Sequence, residues 1–137
     1  MRCFIDENLH TQLVDILQAL SPATEFSHAH HEQLSGYDDE DLIPEVARRG
    51  FDVLITDDRR QMVNLEELAA LQRSGMHWVS LVKVNVFGMH GLGATTATLV
   101  AALPHLLDIH QEEQVPQRIR LKGRGRERSQ VLTHRPL

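Results

Sequence analysis

"FDVLITDDRR", residues 51–60, decides the fold. Val53, Leu54 and Ile55 form an apolar, partly β-branched run suited to a buried strand. Thr56 follows, then two carboxylates, Asp57 and Asp58, and two guanidinium groups, Arg59 and Arg60. A helical pattern precedes this run and another follows it. Strands alternating with helices imply an α/β fold with a mostly parallel central sheet. In such sheets ligands gather at the carboxyl ends of the strands, where these charged residues stand.

The rest of the chain keeps the same alternation. "RCFID", residues 2–6, reads as a first buried strand. "NLHTQLVDILQAL" repeats Leu9, Leu13, Ile16, Leu17 and Leu20 at helix spacing, with Asn8 as N-cap and "SP" at 21–22 as its stop. "ATEFSHA", residues 23–29, is a weaker strand. "DLIPEVARRG" is a helix closed by Gly50, and Pro44 restricts its start to near Asp41, the expected N-cap. "VNLEELAALQRSG" places Leu65, Leu68 and Leu71 on one side of a helix ending at Gly75. "HWVSLVKV", residues 77–84, is the next strand, and "NVFGMHGLGA" reads as a Gly-rich turn. "TTATLVAAL" is a helix that Pro104 ends or kinks, followed by "HLLDIHQEE". "QRIRLK", residues 117–122, alternates as a half-exposed strand does, and "SQVLTH" is positioned to return as a hairpin strand.

A chain of 137 residues is expected to form one domain with a single core. The expected division is a main unit over 1–115 and a basic C-terminal strand or tail over 116–137, packed on or extending from it. Cys3 is the one cysteine, so no intrachain disulfide forms, and a cytoplasmic location is expected. No run approaches the ~18 apolar residues of a membrane span, so no membrane partner is expected. The net charge of −5 is unevenly spread. Residues 118–137 carry seven Lys or Arg and one acid, which points to a nucleic acid or an acidic partner.

Three acidic clusters follow strand ends or helix starts. Asp6 ends the first strand, Asp39, Glu40 and Asp41 open a helix, and Asp57 and Asp58 end the strand at 53–56. An isolated acid at such a place is more often a turn former or a cap. Three sets on one sheet edge instead repel one another unless a cation neutralises them. Oxygen-only donors suit Mg2+ or Mn2+ rather than zinc. Such a metal activates water and stabilises a phosphoryl transition state, and Arg59 or Arg60 is placed to grip a phosphate.

With "FIDENL", "GYDDEDLIPEVARRG" and "VLITDD", the chain resembles the PIN-like nucleases over about residues 2–84, most closely toxins of the VapC type. The resemblance implies a three-layer α/β/α PIN-like domain. It implies an endoribonuclease dependent on Mg2+ or Mn2+, the toxin of a type II toxin–antitoxin pair. It assigns catalytic and metal-binding roles to Asp6, Asp39 and Asp58. Glu7, Asn8, Glu40, Asp41, Thr56 and Asp57 are secondary candidates. The partners implied are an RNA substrate, a cognate antitoxin protein and a possible second copy of the chain. Two features depart from the family pattern. No acid is evident from a helical segment after the first strand, and Arg60 stands where relatives often keep a second Asp. These departures open the alternative of a catalytically weak or inactive module that binds RNA or protein.

Other motifs carry less. The run His28, His30, His31, Glu32 lacks the helical spacing of a metalloprotease site, and RNA contact from a loop is the better reading. "GMHGLGATT" lacks the Gly-Lys-Ser/Thr of a phosphate loop. Lys83 invites a receiver-like signalling reading, with Asp57 or Asp58 as phosphoacceptor, but the basic C-terminal segment is foreign to it. On a strand, Arg118, Arg120 and Lys122 share one face and, with Arg124, form an RNA-binding stripe or a charged edge that resists aggregation.

Overall fold

A computed structural model describes residues 1–57, 64–81, 88–123 and 125–137. Six strands form one sheet: β1 (Arg2–Ile5), β2 (Glu25–His28), β3 (Val53–Thr56), β4 (His77–Leu81), β5 (Gln117–Leu121) and β6 (Leu132–Pro136). Their order across the sheet is β2-β1-β3-β4-β5-β6. All neighbours are parallel except β5 and β6, which are antiparallel. Among the described residues five helices accompany them: α1 (Gln12–Leu20), α2 (Asp39–Arg48), α3 (Leu65–Ser74), α4 (Gly88–Glu112) and the short α5 (Arg128–Val131).

Alternation along the strands creates two cores. Cys3, Ile5, Val53, Ile55, Val79, Leu81, Ile119 and Leu121 face α1 and α4, where Leu13, Leu17, Leu99, Ala102, Leu106 and Ile109 meet them. Phe4, Leu54 and Trp78 point the other way, against Leu42, Ile43 and Val46 of α2 and Leu71 of α3. The architecture is therefore the expected α/β/α sandwich with a mostly parallel sheet. The topology reverses beside β1. The chain first moves from β1 outward to β2, then crosses back to place β3 on the other side of β1. The crevice between the carboxyl ends of β1 and β3 is the switch point at which open α/β sheets bind ligands.

Several local expectations give way to longer-range contacts. Helix α1 begins at Gln12 with Thr11 as N-cap, because the Asn8 side chain is engaged with Thr56 instead. Helix α2 begins two residues before Asp41, with Asp38 as N-cap. Pro44 consequently sits inside the helix and not in its first turn, and the Glu40 carbonyl loses its usual donor. Burial of Leu42, Ile43 and Val46 on either side of Pro44 offsets that loss. Helix α4 likewise continues through Pro104, which neither ends nor interrupts it, as Leu103 and Leu106 pack on the sheet. Gly88, Gly91 and Gly93 lie in the first turns of α4 rather than in a turn.

By length and composition α4 is also apolar enough to cross a bilayer, contrary to expectation, although its Leu99, Leu106 and Ile109 belong to the core. In α3 the Asn64 cap forms, accepting from the Glu66 N–H at 2.9 Å, and Gly75 ends the helix in the left-handed conformation (φ 76°). Leu65 leaves its expected apolar row and is 80% exposed.

Candidate active site at the β1–β3 crevice

Asp6 follows β1 directly, and its N–H still pairs with the Ile55 carbonyl of β3 at 2.9 Å. That bond draws its side chain into the crevice, where the residue is 5% exposed. Each carboxylate oxygen has a donor. The Thr56 hydroxyl donates to Oδ2 at 2.9 Å and the Glu7 N–H donates to Oδ1 at 2.8 Å. Thr56, itself fully buried, accepts from the Asn8 amide at 3.3 Å. This contact directs the threonine proton toward Asp6. The Asn8 carbonyl in turn lies 3.5 Å from the Asp57 N–H. A relay Asn8→Thr56→Asp6 thus crosses between two strands that are 50 residues apart in sequence.

Burial pushes the Asp6 carboxyl up to about 6, and the charges of Asp39 and Glu7 push the same way. The hydrogen bonds from Thr56 and the Glu7 N–H pull it down but do not win. Asp39 is half-buried at the first turn of α2. Its charge adds to the rise of the Asp6 pKa. The Glu7 carboxylate is engaged by the loop that leads into α2. It accepts from the Gly36 N–H at 2.9 Å and so fastens the β2–α2 loop to the end of β1. Gly36 has φ 81°, a conformation open to glycine at little cost. The sequence "GYDD" therefore works by bringing a backbone donor to Glu7 and Asp39 to Asp6.

The remaining acids of α2 diverge. Glu40 lies beside the Glu66 carboxyl of α3, and this proximity, with repulsion from Glu67 and Asp41, raises its pKa. Asp41 is exposed in the first turn of α2, a favourable place for a negative charge but not the N-cap expected of it. The Glu66 and Glu67 contribution was not visible in the sequence pattern, since only the packing of α2 on α3 brings these residues to Glu40. Asp58, Arg59, Arg60, Lys83 and Arg124 lie outside the described residues.

His28 is an internal fastener. Its Nδ1 accepts from the His30 N–H at 3.0 Å, so Nε2 carries the proton and donates to the Leu9 carbonyl at 2.8 Å. With both nitrogens used and the ring buried, it is neither a metal ligand nor an RNA contact. Arg118 and Arg120 lie on β5, two strands beyond β3, and not at the crevice. Lys122 falls just past the end of β5, and its N–H pairs with the Val131 carbonyl.

The donors at the crevice suit a hard divalent cation. A buried carboxylate held up by desolvation and by a neighbouring acid is stabilised when a positive charge arrives. Asp6 and Asp39 are the described residues that fit this role, and among the described residues no three His, Cys, Asp or Glu side chains converge.

A family model described as a PIN like domain matches residues 1–83, which include β1 to β4 and every described residue of the crevice. No curated protein and no solved structure matches the chain. The chain belongs to the PIN-like domain family, whose members are generally nucleases and typically use divalent metals.

Proposed function

We propose that this protein is a metal-dependent endoribonuclease, a cytoplasmic toxin restrained by a cognate antitoxin. The observation that carries the hydrolase reading is the buried Asp6 carboxylate, fixed by Thr56 and the Glu7 N–H at the switch point of the sheet. Both oxygens keep a second lone pair, so the hydrogen bonds orient the carboxylate without exhausting it. Asp6 and Asp39 would hold Mg2+ or Mn2+, with Asp58 as third donor by resemblance. Bound there, the metal supplies an acidified water and charge stabilisation for a phosphoryl transition state. Thr56 and Asn8 are positioning residues that keep Asp6 in one rotamer.

The test is cleavage of RNA in Mg2+ or Mn2+ by the wild type and by Asp6→Asn. Metal-dependent cleavage lost in the variant supports the proposal; equal activity in both, or none in either across metals, ends it. The toxin reading is tested by growth arrest on expression, relieved by the product of a neighbouring reading frame.

A second reading, a non-catalytic RNA- or protein-binding module, rests on the sequence, where Arg60 stands in place of the second Asp that relatives often keep. Calorimetric titration with Mn2+ separates the two, since RNA binding without metal binding supports the module.

A further inference from the structure

The antiparallel return of β6 creates a second charged surface far from the acids. Its register sets Arg135 opposite Arg118 and Thr133 opposite Arg120. Residues directly opposite share a sheet face, so all four side chains stand together. The same face carries Trp78 on β4, which pairs with Arg118. Over β1, β3 and β4 it is covered by α2 and α3. That cover ends at Trp78. Beyond it Arg120, Thr133 and Arg135 are exposed and Arg118 is half-buried, its guanidinium 5.8 Å from the Trp78 ring centre. Arg118, Arg120, Thr133, His134 and Arg135 line a cleft of about 360 Å³.

The three guanidinium groups share this face and line one cleft. None forms an ion pair with a carboxylate among the described residues. Burial, with repulsion from Arg135 and Arg120, lowers the Arg118 pKa. Such a cluster is relieved by a polyanion. The described residues of its lining are arginines, a threonine and a histidine, whereas protein interfaces centre on apolar and aromatic anchors. Guanidinium forks and a threonine hydroxyl are instead the donors that hold phosphates. Arg118 and Arg120 are separated by about 7 Å along β5, a spacing commensurate with an extended sugar–phosphate chain. Because β5 runs parallel to β1 and β3, Arg120 lies nearer than Arg118 to the sheet edge that carries Asp6. Three strand spacings, about 14 Å, separate β5 from β1.

We propose that the open β5–β6 face, through Arg118, Arg120 and Arg135, binds the phosphodiester backbone of single-stranded RNA and leads it toward the β1–β3 crevice. This deepens the nuclease reading and rests on it for the direction of the strand, but the binding itself is independent of cleavage. Arg135 is the member that the sequence pattern omitted, and Lys122 is the member that the cleft leaves out.

The experiment uses the full chain in EDTA, which stops hydrolysis. Fluorescence anisotropy measures binding of a labelled oligouridine over a range of salt concentrations. Loss of the three arginines reduces the slope of log affinity against log salt by about 2, at ~0.7 per phosphate contact, and weakens binding at least about tenfold. Arg120→Ala and Arg135→Ala carry the test, since both side chains are exposed, and Arg135→Lys restores part of the affinity. Arg48→Ala on α2 is the control for loss of a charge elsewhere. An unchanged slope in Arg120→Ala and Arg135→Ala overturns the proposal, as does competition by polyglutamate that unlabelled RNA does not match. Arginine-dependent binding in a protein that cleaves no RNA in any metal upholds this proposal while removing the hydrolase reading.

Discussion

Replacing Asp6 with Asn is expected to stabilise the metal-free protein while abolishing its activity. The magnitude follows from the raised carboxyl, about 6 in the folded protein against an ordinary 3.8. About two pH units at 1.36 kcal/mol each make ~3 kcal/mol of penalty for keeping a charge in the crevice. The unfolded chain releases the proton near 3.8 and the folded chain near 6. Unfolding between these values therefore releases a proton, and rising pH lowers stability. The penalty is absent below about pH 4, grows to pH 6 and is constant above it.

The Asn amide carries no charge at any of these pH values, so the penalty disappears. Its single acceptor oxygen cannot satisfy both the Thr56 hydroxyl and the Glu7 N–H, which returns about 1 kcal/mol. The expected net gain is ~2 kcal/mol at pH 7.5 in EDTA, reversing to a loss of ~1 kcal/mol near pH 4. Urea unfolding followed by circular dichroism at the two pH values measures both numbers. Saturating Mn2+ should then stabilise the wild type, by about 2.7 kcal/mol at a hundredfold excess over Kd, and leave the variant unmoved. A variant no more stable than the wild type at pH 7.5, or a difference that does not change with pH, would refute the reasoning.

Thr56→Val removes the hydroxyl that holds Asp6 and should raise the Asp6 pKa further, shifting the acid limb of the pH–rate profile upward. Its stability cost, of about 1–3 kcal/mol for a lost buried hydrogen bond, is read by denaturation. Pro44→Ala restores an N–H to the Glu40 carbonyl inside α2. Regained helix stability, less the unfolded-chain entropy that alanine adds back, predicts a gain of ~1–2 kcal/mol by urea unfolding. Burial lowers the pKa of both His28 and His77. Their contribution to stability is complete above their unfolded value near 6.5 and falls as pH drops toward the folded values. His28→Gln should therefore flatten the acid side of the stability curve. Asn64→Ala removes the α3 cap and should cost about 1 kcal/mol, read as a lower urea midpoint at constant slope.

The strands were legible because each is an apolar run that a buried parallel sheet requires, and Asp6 was legible because it ends such a run. The misread elements have a common cause. Asn8 has the local chemistry of a cap, but its amide meets Thr56, 48 positions away. Pro44 and Pro104 have the local chemistry of helix breakers, but tertiary burial holds the helices through them. The Glu7 carboxylate also accepts from the Gly36 N–H of a loop, a contact that no local pattern encodes. The stripe of arginines was half visible. Alternation gave Arg118 and Arg120, while Arg135 needed the β5–β6 register, which no local pattern encodes.

The start of α2 shows how one short acidic run can serve two sites. Successive helical residues point about 100° apart, so Asp39 and Glu40 cannot share a target. Asp39 turns toward the end of β1, where its charge helps to raise Asp6. Glu40 turns toward α3, where it meets Glu66. The Glu7–Gly36 bond fixes the loop leading into α2 and thereby selects which acid faces Asp6. Glu7→Gln keeps an acceptor for the Gly36 N–H and removes one charge from the neighbourhood of Asp6. It should therefore lower the Asp6 pKa while leaving the loop in place. Glu7→Ala should release the loop and separate Asp39 from Asp6. Carboxyl chemical shifts followed by NMR across pH distinguish these outcomes. If both substitutions move the Asp6 titration alike, the role of Glu7 is electrostatic rather than positional.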